Sequence, residues 1–262
     1  MSVLQAPAHP PMNPKVLEGK VALITGPSKG LGKAMALALA EAGAKLALAS
    51  RDEQRLAETA AAIRALGSEA EVFPADVSDE REVLALEKAV TARFGKVQIL
   101  INNAGINLRK PITEFTLEEW NRIQTTNVTS AFLMCRSFVP HLKGQGYGRI
   151  LNTSMMSHVA LPGRTAYATS KTALLGFTKA LALELAPDRI TVNGISPGPC
   201  STEMNKPLLE NPELAQFFLS RIPLGRWGRP EEIGQLAVYL CSEAAGFITG
   251  TDIVIDGGWT AQ

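Results

Sequence analysis

Cysteine and histidine are scarce in this chain. The three cysteines, Cys135, Cys200 and Cys241, are odd in number and far apart. That argues against a disulfide framework or a Cys-rich metal centre and fits a reducing compartment. The three histidines, His9, His141 and His158, lack metal-ligand spacing, so no metal site is expected. There is no run of basic residues interleaved with aromatics, and the net charge is only +1. Neither nucleic acid nor an acidic membrane is an expected partner. Long hydrophobic runs are also missing. The most apolar region, Ala34 to Ala49, is broken by Glu41, Gly43 and Lys45, well short of the roughly 20 apolar residues a spanning helix needs. The N-terminal MSVLQAPAHPPMNPK has no basic stretch followed by an apolar one, so it does not read as a secretory signal. A cytoplasmic location is the expectation. Its prolines make residues 1–15 a flexible or extended arm. Residues 16–262, in a chain 46% hydrophobic and 19% charged, read as one domain with a substantial core.

From Lys20 onward, short apolar runs alternate with helical patterns. Val21–Thr25, Leu46–Ser50, Glu71–Phe73, Val97–Ile101, Arg149–Asn152, Ile190–Ile195 and Ile253–Ile255 read as strands. Between them, helices are predicted over Leu31–Ala42, Asp52–Leu66, Asp79–Phe94, Leu117–Cys135, Tyr167–Leu185 and Pro230–Leu240. Strands alternating with helices indicate an α/β fold: a doubly wound parallel sheet of Rossmann type in three layers, as a single domain.

Two patterns carry chemistry. Thr25-Gly26-Pro27-Ser28-Lys29-Gly30-Leu31-Gly32 falls between the first strand and the first helix. There, glycines permit a tight turn and let backbone approach a pyrophosphate, while the helix N-terminus offers free N–H groups. The spacing is G-x-x-x-G-x-G rather than the commoner G-x-G-x-x-G. Second, Tyr167 and Lys171 stand four residues apart at a helix start and share one face. An ammonium near a phenol favours the phenolate, so the tyrosine could exchange a proton near neutral pH. A solvated helix face is the plain alternative for an isolated Y-x-x-x-K.

In this order, TGPSKGLG, NNAG (Asn102–Gly105), YATSK, ISPG and DGG resemble the short-chain dehydrogenase/reductase (SDR) family over Gly19 to Trp259. The resemblance implies hydride transfer between a nicotinamide cofactor and a carbonyl carbon, with no metal. It makes Tyr167 the general acid for reduction and the base for oxidation. Lys171 would lower the tyrosine pKa and bind the nicotinamide ribose. Ser154, thirteen positions before Tyr167, would hold the substrate oxygen, and Asn127 would hold a water in a proton relay to Lys171. Asn103, Ala104 and Gly105 would pass beneath the cofactor. Pro197, Gly198 and Thr202 would contact the nicotinamide, and Asp76 and Val77 the adenine. At the end of the second strand, Ser50-Arg51 replaces the acid that would favour NAD. An arginine fork there, with Lys29 nearby, suits a 2′-phosphate and favours NADP(H), NAD(H) staying open through Asp52. Asp52 reads otherwise as a helix cap.

The substrate pocket is expected from residues 106–111, 155–164 and a lid segment over 200–222. Arg109, Met156, Ser154 and Tyr167 are its expected substrate contacts, with Asn107, Lys110, His158 and Arg164 nearby. Arg109 or Arg164 could pair with a substrate carboxylate. INLRKPITEFTLEEW and RIPLGRWGRPEEIG are similar to the gluconate 5-dehydrogenase group of the family, while SMMSHVALPG departs from that group. The function this implies is interconversion of a ketone and a secondary alcohol on a keto sugar acid such as 5-ketogluconate/gluconate. A 3-oxoacyl carrier-protein reductase is the alternative. A non-catalytic NADP(H)-binding regulator would have lost part of the Asn–Ser–Tyr–Lys set, which is whole here. Family members commonly form homotetramers. Trp259 and Phe247 are candidates for such an interface, with core packing as the other reading.

Overall fold

In the computed structural model, residues 15–155 and 161–262 are described. The expected arm over residues 1–15 lies outside them apart from Lys15. Seven strands form one parallel sheet: β1 (Val21–Thr25), β2 (Lys45–Ser50), β3 (Ala70–Pro74), β4 (Ile99–Asn102), β5 (Gly148–Thr153), β6 (Ile190–Pro197) and β7 (Asp252–Ile255). Their order is β3-β2-β1-β4-β5-β6-β7. The order reverses between β1 and β4, where a doubly wound sheet opens a crevice at its C-terminal edge.

Nine helices connect and cover the strands among the described residues: α1 (Gly30–Glu41), α2 (Glu53–Ala65), α3 (Glu80–Phe94), α4 (Leu117–Gln124), α5 (Ser130–Leu142), α6 (Thr165–Leu185), α7 (Lys206–Leu209), α8 (Pro212–Leu219) and α9 (Pro230–Cys241). The central strands are buried on both faces, as parallel strands must be, while the edge strands β3 and β7 are half-buried. In β1, Ala22 and Ile24 join a core with Met35, Leu39 and Val238 under α1 and α9. Val21 and Leu23 point the other way, into a core with Leu86, Val90 and Phe138 under α3 and α5. That alternation follows from the two-residue period of a strand. The α1–α9 pair packs closely because Gly234 has no side chain; a Cβ there would lie 2.8 Å from the Ala34 carbonyl oxygen.

Local chemistry sets the helix ends. Asp52 accepts from Arg55 N at 3.1 Å and starts α2. Asp79 accepts from Arg81 N and Glu82 N and starts α3. The single helix expected over Leu117–Cys135 is divided: α4 passes through a π-type turn at Thr125–Thr129 before α5. The turn holds no glycine or proline, so no helix-breaking residue marks it in the sequence.

Beyond β6 the chain leaves the sheet and returns. Ser201 N donates to Gly228 O, and Gly228 N to Pro199 O, each at 2.9 Å, which pins the base of this excursion. Within it, Leu208, Phe218 and Ile222 pack on Trp227 and Trp259. Trp259 is thus a core residue, whereas Phe247 is fully exposed. Among the described residues no helix is long and apolar enough to cross a membrane.

Candidate active site

The crevice at the C-terminal edge is a cleft of about 590 Å³. Its floor is built from the two loops at the switch point. Asn103 N and Ala104 N each donate to Thr25 Oγ1 at 3.0 Å. Asn103 Nδ2 donates to Thr25 O at 3.0 Å and Gly26 O at 3.1 Å. The amide fills the space a side chain at Gly32 would need: a Cβ there would lie 2.4 Å from Asn103 Nδ2 and 2.3 Å from Gly26 O. Backbone therefore lines this floor. The start of α1 has no side-chain cap and no acid in its first turn, so its N–H groups stay available to an anion. Such a cradle fits the pyrophosphate of a dinucleotide.

At the end of β2, Ser50, Arg51 and Asp52 line the cleft with Asp76 and Val77. Arg51 Nη1 lies 3.2 Å from Asp76 Oδ2. Asp76 Oδ1 accepts from Ser78 N at 2.9 Å and from Ser78 Oγ at 2.6 Å. Burial acts to raise the Asp76 pKa, but the Ser78 bonds and Arg51 outweigh it and hold the carboxyl below its ordinary value. Asp52 is committed to its cap.

Tyr167 and Lys171 lie on the first turns of α6 and both line the cleft. Lys171 Nζ donates to Thr153 O at 2.7 Å and sits 6.0 Å from the Tyr167 ring centroid. Asn127 stands in the π-type turn, which turns its amide inward. Asn127 Oδ1 accepts from Ile106 N at 2.8 Å, and its Nδ2 donates to Ile106 O at 3.0 Å and Ser170 Oγ at 2.9 Å. Gly105 is where these groups meet: a Cβ on it would come 3.3 Å from both Asn127 Oδ1 and Lys171 Nζ.

Burial decides both proton affinities. It pushes the Tyr167 hydroxyl up, with Arg164 and then Arg109 pulling the other way. It brings Lys171 down to about 8. The sequence points to Lys171 as the cation that lowers Tyr167; without cofactor the opposing cations are the two arginines, because Lys171 is drawn to the Thr153 carbonyl. The protonated phenol suits the acid role in carbonyl reduction.

The Lys171 shift has a measurable consequence. Between about pH 8 and the unfolded-lysine value near ~10.4, the folded chain holds this amine neutral while the unfolded chain protonates it. The unfolded state then binds more protons, so this group's contribution to stability rises with pH across that window and is flat above it. Urea melts of wild type and Lys171→Met without cofactor should show the stability difference moving toward wild type from pH 8 to 10, by on the order of 2–3 kcal/mol. Parallel profiles for the two would contradict the burial argument.

Ser154 follows β5. Its buried hydroxyl lies 2.6 Å from Asp252 Oδ1, 2.8 Å from Ser196 Oγ and 3.1 Å from Ile195 O. It faces β6 and β7, and among the described residues no hydrogen bond joins it to Tyr167. The thirteen-residue spacing brings Ser154 to the cleft wall without aiming its hydroxyl at the phenol. Ser196 Oγ donates to the other Asp252 oxygen at 2.5 Å. Gly194 makes the room, since a Cβ there would lie 2.2 Å from Asp252 Oδ1. To hold a substrate oxygen, Ser154 must rotate away from this carboxylate.

Arg109 and Arg164 also line the cleft. Lys110 N donates to Gly163 O at 3.0 Å and ties their loops together. Lys110 itself is paired with Glu119 at 2.6 Å. Among the described residues neither Arg109 nor Arg164 has a carboxylate in salt-bridge reach. Burial, and then Arg109, lower the Arg164 pKa: two like charges converge beside Tyr167. Met156 and His158 lie outside the described residues. Pro197, Gly198 and Thr202 line the cleft, but the need for glycine at 198 comes from the turn just after β7, as a Cβ there would lie 2.6 Å from Asp256 Cα. Trp227, Phe218, Leu208 and Leu161 form an apolar wall of the cleft. Sequence reasoning missed Trp227, whose only signal is an aromatic just past the expected lid.

Comparison with known proteins agrees with this geometry. A family model described as enoyl-(acyl carrier protein) reductase matches residues 26–260. The chain belongs to the short-chain dehydrogenase/reductase family. It is 36% identical to gluconate 5-dehydrogenase of Gluconobacter oxydans, covering 94% of this chain and 96% of that one. It is 34% identical to a rhamnolipids biosynthesis 3-oxoacyl-[acyl-carrier-protein] reductase of Pseudomonas aeruginosa, covering 93% and 97%. A Beutenbergia cavernae protein proposed as an NAD(P)-dependent gluconate 5-dehydrogenase, with NADP bound at low occupancy, superimposes with a TM-score of 0.90 at 36% identity, covering 95% of this chain and 100% of that one. The chain is thus an SDR oxidoreductase acting on hydroxyl and carbonyl groups.

Proposed function

We propose that this SDR enzyme is an NADP(H)-dependent oxidoreductase that interconverts a ketone and a secondary alcohol on a keto sugar acid, the 5-ketogluconate/gluconate type. The observation that carries the substrate class is the pair Arg109 and Arg164, convergent in the cleft with no carboxylate partner among the described residues. Two neighbouring guanidiniums repel each other until an anion bridges them, and a planar carboxylate fits the fork of either one. Relatives that carry gluconate names support the same class. Arg51, Ser50 and Lys29 at the adenosine end support NADP(H), as does the NADP held by the Beutenbergia cavernae protein.

When bound, the nicotinamide supplies or accepts the hydride at the carbon. Tyr167 gives its phenolic proton to the carbonyl oxygen during reduction and takes it back during oxidation. Lys171, with a water that Asn127 would hold, returns that proton toward solvent. Arg109 and Arg164 hold the carboxylate so that the carbonyl meets Tyr167. Ser154 joins the substrate oxygen once it leaves Asp252. Exposed Phe247 and Leu183 support a homo-oligomer of this chain.

A two-way screen tests the reading. NADPH and NADH are each offered with keto sugar acids, acetoacetyl thioesters and cyclic ketones, and cofactor oxidation is followed by absorbance. The expected result is highest kcat/KM for a keto sugar acid with NADPH. Activity confined to thioesters overturns the substrate, and preference for NADH overturns the cofactor.

A further inference from the structure

Beside the glycine loop lies a second hollow of about 500 Å³, whose walls include Ser28, Lys29, Lys33, Asp52, Arg55 and Glu203. It adjoins the end of β2, where the 2′ position of an adenosine ribose is read in this fold. Three cations face it: Lys29 from the glycine loop, Lys33 from α1 and Arg55 from the first turn of α2. One carboxylate reaches them from elsewhere. Glu203 Oε2 accepts from Arg55 Nη1 at 3.0 Å, across 148 residues of sequence, and lies 3.8 Å from Lys29 Nζ. Glu203 directly follows Thr202 at the base of the lid, and Thr202 is seated on the glycine loop, 3.7 Å from where a Gly30 Cβ would be.

We propose that Glu203 is a specificity-determining residue: its carboxylate holds the position of a 2′-phosphate on Arg55 and Lys29, and a 2′-phosphorylated adenosine must displace it. The proposal rests on the adenosine end of the cleft being where the dinucleotide binds. Arg55 becomes a 2′-phosphate ligand beside Lys29 and Arg51, and Glu203 an intramolecular competitor of the same sign of charge whose oxygens occupy the same donors. A cofactor without the 2′-phosphate leaves the Glu203–Arg55 contact in place, so the lid base is tied down more firmly with NAD(H) than with NADP(H). Asp52 also reaches Arg55, its Oδ2 lying 3.5 Å from Nε, but its Oδ1 caps α2, so it stays beside Arg55 whichever cofactor binds.

The test uses binding rather than turnover. Calorimetric titrations with 2′,5′-ADP and with 5′-AMP are run on wild type, Glu203→Gln and Arg55→Met. Glu203→Gln should tighten 2′,5′-ADP about fivefold and leave 5′-AMP unchanged, the scale expected for one exposed charge. Arg55→Met should weaken 2′,5′-ADP and abolish the benefit of Glu203→Gln in the double variant. Equal effects on both nucleotides, or no effect of Glu203→Gln on 2′,5′-ADP, overturn the proposal. The wild-type ratio of the two affinities separately tests the NADP(H) reading. A ratio near one with a fivefold gain in Glu203→Gln sinks that reading and leaves the competitor standing. Circular dichroism confirms that the exposed-site variants fold.

Discussion

Replacing Tyr167 with phenylalanine should lower kcat about 10³-fold, the scale of a lost general acid, while NADPH binding stays within about twofold. The phenol is half-buried at the cleft wall and its hydroxyl makes no hydrogen bond to a side chain among the described residues. Removing it therefore breaks little structure. Burial keeps it protonated, so it is ready to donate and phenylalanine cannot. Cofactor fluorescence gives the binding and NADPH absorbance the rate. Retained turnover would remove Tyr167 from the mechanism. Loss of binding together with turnover would make its role structural.

The second large effect concerns the arginine pair. Arg164→Met should raise KM for a keto sugar acid by 10- to 100-fold, as expected from one charge-assisted contact of about 1.5–3 kcal/mol. Arg109→Met should cost less, because Arg109 is the more exposed of the two. Neither should change KM for a neutral cyclic ketone by more than about threefold. The Arg164 variant carries a second signature. Arg164 is the foremost cation lowering the Tyr167 pKa against burial, so its loss should move the alkaline limb of the kcat profile for reduction to higher pH. Equal losses on charged and neutral ketones would mean that Arg164 shapes the cleft rather than reading a carboxylate.

The alternation of apolar runs and helices is enough to read the layered parallel sheet, because strands buried on both faces leave an apolar signature between helix caps such as Asp52 and Asp79. The glycine loop, NNAG and the Tyr167–Lys171 pair are local motifs, and the fold brings them into one cleft at the switch point. Contacts across the sheet are a different matter. Asp252 lies 98 residues from Ser154, and nothing near Ser154 signals a carboxylate that will take its hydroxyl. Glu203 and Arg55 are likewise unrelated in sequence. The π-type turn that presents Asn127 is not legible because Thr125–Thr129 contains no glycine or proline to interrupt the helical reading. The direction of the Tyr167 pKa depends on burial and on arginines in two other loops, neither of which a four-residue spacing contains.

Hydride transfer to the ketone of a sugar acid is the step on which the proposed function stands. It is tested most directly by turning over 5-ketogluconate with NADPH deuterated at C4 and examining the product by NMR and mass spectrometry. Deuterium on the new carbinol carbon, from one face of the nicotinamide only, with the labelled product formed about 10³-fold more slowly by Tyr167→Phe, is the predicted result. A product without deuterium, or no product from a keto sugar acid while a thioester ketone is reduced, would contradict it.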